Sequence, residues 1–183
     1  MMSSNAPCNR RRPTHRSRGF TLIELMVVLV IIGVLAALIV PNVLDRADDA
    51  RVTAARTDVN NLMQALKLYR LDNQRYPSSE QGLQALVIKP TSGAIPPNWK
   101  PYLEKLPNDP WGRPYQYVDL ATMKGNGKAR KDKKLAPLNS DYDLYSLGKD
   151  GDSKPPLVTP VSRDDIVRAR DGQFIGMAKD FDP

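Results

Sequence analysis

Histidine and cysteine are all but missing from this chain of 183 residues, which carries one of each, at Cys8 and His15. From residue 20 onward there is no thiol to form a disulfide or act as a nucleophile, no imidazole base, and no Cys/His set for zinc. Aromatics make up 7% of the chain and form no stacking ladder for bases or sugars. A glycine-rich phosphate loop and an internal repeat are also absent. Catalysis would have to use carboxylates or lysine, and no substrate-binding pattern accompanies them. The composition points away from an enzyme.

Acid is absent from residues 1–19, where Arg10, Arg11, Arg12, Arg16 and Arg18 supply +5. Basic residues beside an apolar span stay in the cytoplasm, which sends the C-terminal side across the membrane. A secretory signal has an apolar core of about 7–15 residues with small residues at its far end. Here the apolar run is longer and the small residue, Gly19, precedes it. Cleavage after Gly19 would remove the charges and keep the span. The sequence Arg18-Gly19-Phe20-Thr21-Leu22-Ile23-Glu24 ahead of an apolar helix resembles the class III signal of type IV pilins and type II secretion pseudopilins.

Loss of those five arginines lowers the formal charge from +7 to +2, leaving little counterion-release drive toward DNA. Lys124, Lys128, Arg130, Lys131, Lys133 and Lys134 form a basic run interleaved with Gly125, Asn126, Gly127 and Asp132. Without an aromatic among them they read as a solvated loop rather than a phosphate site. No nucleic-acid partner is expected.

Phe20 to Val40 is a run of 21 residues, apolar but for Thr21 and with Glu24 its one charge. At about 1.5 Å per residue a helix of that length spans the roughly 30 Å core of a bilayer. A carboxylate there costs on the order of 2.5–3.5 kcal/mol, so Glu24 either stays wet at the interface or needs a partner or a function. Pro41 closes the run and is expected to bend the helix. Beyond it Val43, Leu44, Ala47, Ala50, Ala54, Ala55, Val59, Leu62, Met63, Leu66 and Tyr69 recur at helical spacing, predicting an amphipathic helix over 41–74. Its end is expected near Asn73, ahead of Tyr76-Pro77.

Residues 75–183 are enough for one small core backed by that helix. A short helix is predicted over Ser79–Leu86, capped by Ser78 or Ser79, then a Pro-rich loop over 89–101 and a turn at Asp109-Pro110-Trp111-Gly112. Pro114–Val118 and Asp141–Gly148 alternate as two strands that would pair.

The remaining constellation is acidic: Asp150 and Asp152 beside Gly148 and Gly151, then Asp164 and Asp165 after a Pro-rich insert. Calcium takes six to eight oxygens, often from a loop that turns at glycine. The spacing is not that of an EF-hand, and solvated turns or a paired-carboxylate site are the other readings.

Arg75-Tyr76-Pro77, Glu80-Gln81-Gly82-Leu83, Leu106–Gly112 and Tyr142–Gly148 resemble the major pseudopilins of type II secretion, the general secretion pathway protein G family. The resemblance covers residues 15–151 well and the remainder loosely. It implies an α+β pseudopilin fold, with a long N-terminal helix packed on a small antiparallel sheet and a calcium loop in place of the disulfide of type IV pilins. The implied organisation is a cleaved cytoplasmic leader over 1–19, a transmembrane helix over 20–40, an amphipathic periplasmic helix over 41–74 and a periplasmic domain over 75–183 with the calcium loop at 147–166.

Carried over by position, prepilin peptidase would cut between Gly19 and Phe20 and methylate the Phe20 amine. Glu24 would then meet the positive N-terminus of a neighbouring subunit and fix the register of assembly. The calcium ligands map onto the side chains of Asp150, Asp164 and Asp165 and the carbonyls of Leu147 and Ser162, with Asp152 or Asp171 as substitutes. The resemblance further implies an inner-membrane protein, single-pass, that forms a helical homo-oligomeric filament with minor pseudopilins on an inner-membrane assembly platform and drives secreted proteins across the outer membrane. The rival readings are a type IV pilin for adhesion or motility and a membrane-anchored periplasmic carboxylate enzyme. The basic insert over 121–139, the long 150–164 connection and the 167–183 extension depart from the family pattern.

Overall fold

The computed structural model describes residues 19–121 and 129–181; within its first helix the side chains of residues 38–45 lie outside the described set. Cys8, His15, the leader arginines, Lys124 and Lys128 are outside the described residues, as are the surroundings expected to bend the chain at Pro41. Helix α1 runs Leu22–Asn73, ending where the sequence places it. The chain divides between Leu44 and Asp45 into two compact units.

In the first unit the helix is apolar apart from Glu24, and its side chains, with Phe20 ahead of it, are exposed, from 82% at Phe20 to 49% at Val28. An uncovered helix of this composition requires lipid or other helices around it. Among the described residues no helix is long and apolar enough to cross a membrane. Of the span expected over 20–40, the backbone is helical from Leu22 on, and the side chains are described as far as residue 37.

The second unit is built on the C-terminal part of α1. Ala55, Val59, Leu62, Leu66 and Tyr69 follow one another at three- and four-residue steps and are buried on one face. They cover an antiparallel meander of four strands, β1 (Gln116–Asp119), β2 (Tyr142–Ser146), β3 (Ile166–Ala169) and β4 (Phe174–Met177), in that spatial order. The register pairs Gln116 with Tyr145, Ser146 with Ile166 and Ala169 with Phe174. A single-turn helix α2, Ala178–Phe181, closes the described chain.

The alternation of strand side chains explains the burial. Tyr142, Leu144 and Ile166 enter the core beneath α1 with Tyr115. Their neighbours Tyr145, Val167 and Ala169 face a second apolar cluster with Leu138, Leu157, Ala178, Phe174 and Phe181. All of β3 is therefore buried, as a strand covered on both faces must be. β3 and β4 are absent from the sequence-based expectation, which treats residues past 166 as an extension; they complete the sheet.

The helix predicted over 79–86 is a turn followed by a 3₁₀ helix at Leu83–Leu86. Gly82 at φ +57° separates the two, because one residue in the left-handed region ends α-helical propagation. Ser78 closes the turn and does not cap the helix: its Oγ accepts from Gln81 N at 3.2 Å while Gln81 Oε1 accepts from Ser78 N at 3.1 Å, and the 3₁₀ helix has Gly82 at its N-cap with no side-chain bond.

Candidate functional site

Two regions carry the residues singled out from the sequence. The first is the start of α1. Thr21 Oγ1 accepts from the Glu24 amide at 3.3 Å, and Glu24 Oε2 accepts from the Thr21 amide and hydroxyl, each at 2.7 Å. This is a reciprocal capping box, with Thr21 as N-cap and Glu24 three residues on. The acid is held by its own helix terminus in the single chain. The Thr-x-x-Glu spacing ahead of an apolar run was there to be read, and Thr21 is the residue that sequence reasoning missed.

The second region is the loop after β2. Its base is held by the Asp109 turn. Asp109, 3% exposed, accepts from Trp111 N at 3.1 Å and Arg113 N at 2.8 Å, and its other oxygen accepts from Ser146 Oγ at 2.6 Å. Ser146 Oγ in turn accepts from Gly148 N at 3.2 Å. From the same turn, Arg113 Nη2 donates to the carbonyls of Gly148 at 2.5 Å and Lys149 at 3.1 Å. The space that a Cβ at Gly151 would need is filled by the Arg113 guanidinium. Lys149 Nζ reaches Asp48 of α1 at 2.5 Å. The Pro-Trp-Gly and Tyr-Ser-Leu-Gly segments thus form one hydrogen-bonded platform beneath the loop.

On this platform the expected ligands come into one loop, with their oxygens turned to different partners. Asp164 Oδ2 accepts from the amides of Lys149 at 2.6 Å and Asp150 at 3.0 Å. Asp150 Oδ1 accepts from Asp152 N at 2.9 Å, and the Leu147 carbonyl accepts from Gly151 N at 3.2 Å. Ser162 Oγ bridges the Lys154 amide and carbonyl at 2.8 and 2.7 Å. Asp152 Oδ1 accepts from Ser153 N at 2.8 Å, and Asp171 accepts from the Ser140 amide and hydroxyl at 2.8 and 2.9 Å. Among the described residues no three acidic, histidine or cysteine side chains gather closely enough to hold a metal ion by themselves. A calcium site here would draw on backbone carbonyls and on a turn of these carboxylates.

Asp165 stands apart from the others. Fully buried, it accepts through Oδ2 from Arg130 Nη2 at 2.5 Å and from the Ser153 hydroxyl. Its Oδ1 is buried with no hydrogen-bond partner. Burial pushes the Asp165 carboxyl up to about 7, against the pull of Ser153 and Arg130, with the charges of Asp164 and Asp150 pushing the same way. A buried carboxylate oxygen without a donor is what a hard cation would satisfy, and this oxygen is the feature of the loop that fits calcium.

Arg130 corrects the reading of the basic run as a solvated loop. It is 2% exposed, its amide donates to Asp143 Oδ2 at 2.6 Å, and its guanidinium lies 4.7 Å from the Tyr145 ring centroid. The reason is the pair of carboxylates at that end of the sheet, which need a counter-charge once buried. Lys133 and Lys134 further along the run are exposed, as expected. Nothing in a run of like charges distinguishes the one that turns inward.

Comparison with known proteins covers the start of α1 and the domain behind it. The family Type II secretion system (T2SS), protein G matches residues 42–128, and the Prokaryotic N-terminal methylation motif matches residues 14–40. The type II secretion system core protein G of Pseudomonas aeruginosa is 53% identical over 135 residues, covering 73% of this chain and 84% of the relative. That of Vibrio cholerae is 44% identical over 138 residues, covering 74% and 83%. The crystal structure of the major pseudopilin from the type 2 secretion system of enterohaemorrhagic Escherichia coli superposes with a TM-score of 0.50 at 37% identity, covering 69% of this chain and 93% of that one. Motif, domain and fold agree, and the chain belongs to the type II secretion system protein G family.

Proposed function

We propose that the chain is the major structural, non-catalytic subunit of a type II secretion pseudopilus, processed between Gly19 and Phe20 and methylated on the Phe20 amine by prepilin peptidase. The observation that carries this reading is the first unit. It is an apolar helix uncovered on every side, headed by Gly19-Phe20 and bearing one acid in its first turn. Such a surface is stable in lipid or against copies of itself, and passage between the two is what a filament subunit needs. Before assembly the chain sits in the inner membrane with its second unit in the periplasm. In the filament, Glu24 exchanges its Thr21 partners for the N-terminal amine of a neighbour. Minor pseudopilins, an inner-membrane platform and the secreted proteins are the remaining partners.

Calcium at the 147–166 loop is the second part of the proposal. Asp150, Asp164 and Asp165, with the carbonyls of Leu147 and Ser162, would hold it. The buried, donor-less Oδ1 of Asp165 supports this. The ion would take coordination from these oxygens, the unpartnered Asp165 Oδ1 among them.

The test is a gene deletion complemented with wild type or Glu24→Ala. Exoproteins are assayed in medium and periplasm while surface pili and twitching are imaged. Retention of exoproteins in the periplasm, restored by wild type and not by Glu24→Ala, is expected. Normal secretion with lost pili or twitching would make the chain a type IV pilin and overturn the reading.

A further inference from the structure

A cation from outside the 147–166 loop already reaches into it. Arg130 lies in the basic insert and Asp165 beyond the long connection, 35 positions apart, and they meet as an ion pair 2% and 0% exposed. Three contacts fix the arginine there: its amide on Asp143, its carbonyl accepting from Leu138 N at 2.9 Å, and its guanidinium over Tyr145. The neighbouring connection is tied to the same strand of backbone, since Leu157 N donates to the Lys131 carbonyl at 2.9 Å. Arg130 occupies one oxygen of Asp165 and leaves the other without a donor.

We infer that Arg130 is a built-in counter-ion for the loop, which neutralises Asp165 whether or not calcium is present and so lowers both the loop's affinity for calcium and its dependence on it. The inference rests on the calcium reading above. A fixed positive charge on a ligand carboxylate repels a divalent ion sharing that carboxylate, and in a partly buried site this repulsion is weakly screened. The same charge removes the main reason for the empty loop to open, which is an uncompensated buried carboxylate. The guanidinium suits the role because it is more weakly hydrated than an ammonium and tolerates burial better.

The experiment uses the full chain in detergent micelles, stripped of divalent ions, as wild type, Arg130→Gln and Arg130→Lys. Melting temperature is read in chelator and in calcium, and calcium affinity by titration calorimetry. Wild type is expected to melt at nearly the same temperature in both conditions. Arg130→Gln should melt lower in chelator, recover most of the loss in calcium, and bind calcium at least about tenfold tighter. Arg130→Lys, whose ammonium is harder to bury, should fall between wild type and Arg130→Gln in calcium affinity. Equal affinity in wild type and Arg130→Gln, or an Arg130→Gln protein that stays unfolded even in calcium, would overturn the inference and leave the calcium reading standing. Absence of calcium binding in all three proteins would overturn the calcium reading itself, and this inference with it.

Discussion

Replacing Leu157 with alanine should destabilise the protein by about 3 kcal/mol. Leu157 lies in the Pro-rich connection between the two acidic clusters, a segment whose composition reads as loose loop. It is 1% exposed and packs with Leu138, Val167, Ala169 and Ala178 on the far face of the sheet from α1. Truncation removes three carbon atoms, about 0.8 kcal/mol each in transfer free energy, and leaves a cavity that adds to the loss. The cluster is small and near one edge of the sheet, so partial collapse should hold the figure below the upper limit of about 5 kcal/mol for such changes. A loss of 3 kcal/mol lowers the folded-to-unfolded ratio by roughly two orders of magnitude. Urea unfolding of the full chain in micelles, followed by the fluorescence of Trp99 and Trp111, reads it directly. Both tryptophans border the core under α1, so a shifted midpoint with unchanged slope would also show that the second cluster unfolds with the first. A loss under about 1 kcal/mol would mean that the connection lies on the surface and that the account of the second cluster is wrong.

Gly148 is at φ +64°, and a Cβ there would stand 2.5 Å from the Asp164 carbonyl oxygen. Gly148→Ala should therefore cost more than the roughly 1–2 kcal/mol of left-handed strain alone, read as a lowered melting temperature. An unchanged melting temperature would show that the loop is free to re-form around the methyl. Two bonds from Ser140 hold the Asp171 carboxyl below the usual range, the amide contributing most, with the Ser140 hydroxyl and the Arg168 charge adding to it. Its folded value lies below the unfolded one, so its stabilisation is present at neutral pH and is lost as pH falls through the folded value. Asp171→Asn should melt below wild type at neutral pH, and the gap should close below about pH 4. A constant gap down to strong acid would remove Asp171 from the acid response.

The parts of the fold legible in the sequence are those with a period or a punctuating residue. Val59, Leu62, Leu66 and Tyr69 announce the covered face of α1, and Tyr76-Pro77 announces its end. Alternation marks Gln116–Val118 and Tyr142–Ser146, and Asp109 to Gly112 marks the turn that supports the loop. β3 and β4 were not legible because both faces of that sheet edge are covered. Ile166-Val167-Arg168-Ala169 shows no alternation, and it holds a charge, Arg168, that is buried only because Asp141 and the Tyr142 ring receive it at 2.8 and 4.0 Å. Arg130 and Asp165 were hidden for a related reason. Their burial is a property of the pair, brought together across 35 positions by segments that each look solvated alone. Mutual burial among the basic insert, the long connection and the extension is tertiary information, which no local pattern carries.

The capping box at the start of α1 bears on how a filament of such subunits could come apart as well as form. A charge stranded in lipid would drive association hard in one direction. Here the Glu24 carboxylate already has two donors in Thr21, so its hydrogen bonds are made before any neighbour arrives. On the proposed role, joining the filament replaces these with a neighbour's amine. The net gain is a difference between two satisfied states. A polymer held by differences of that kind sits near its own point of balance, where the direction of motion is set by whatever pushes on its base.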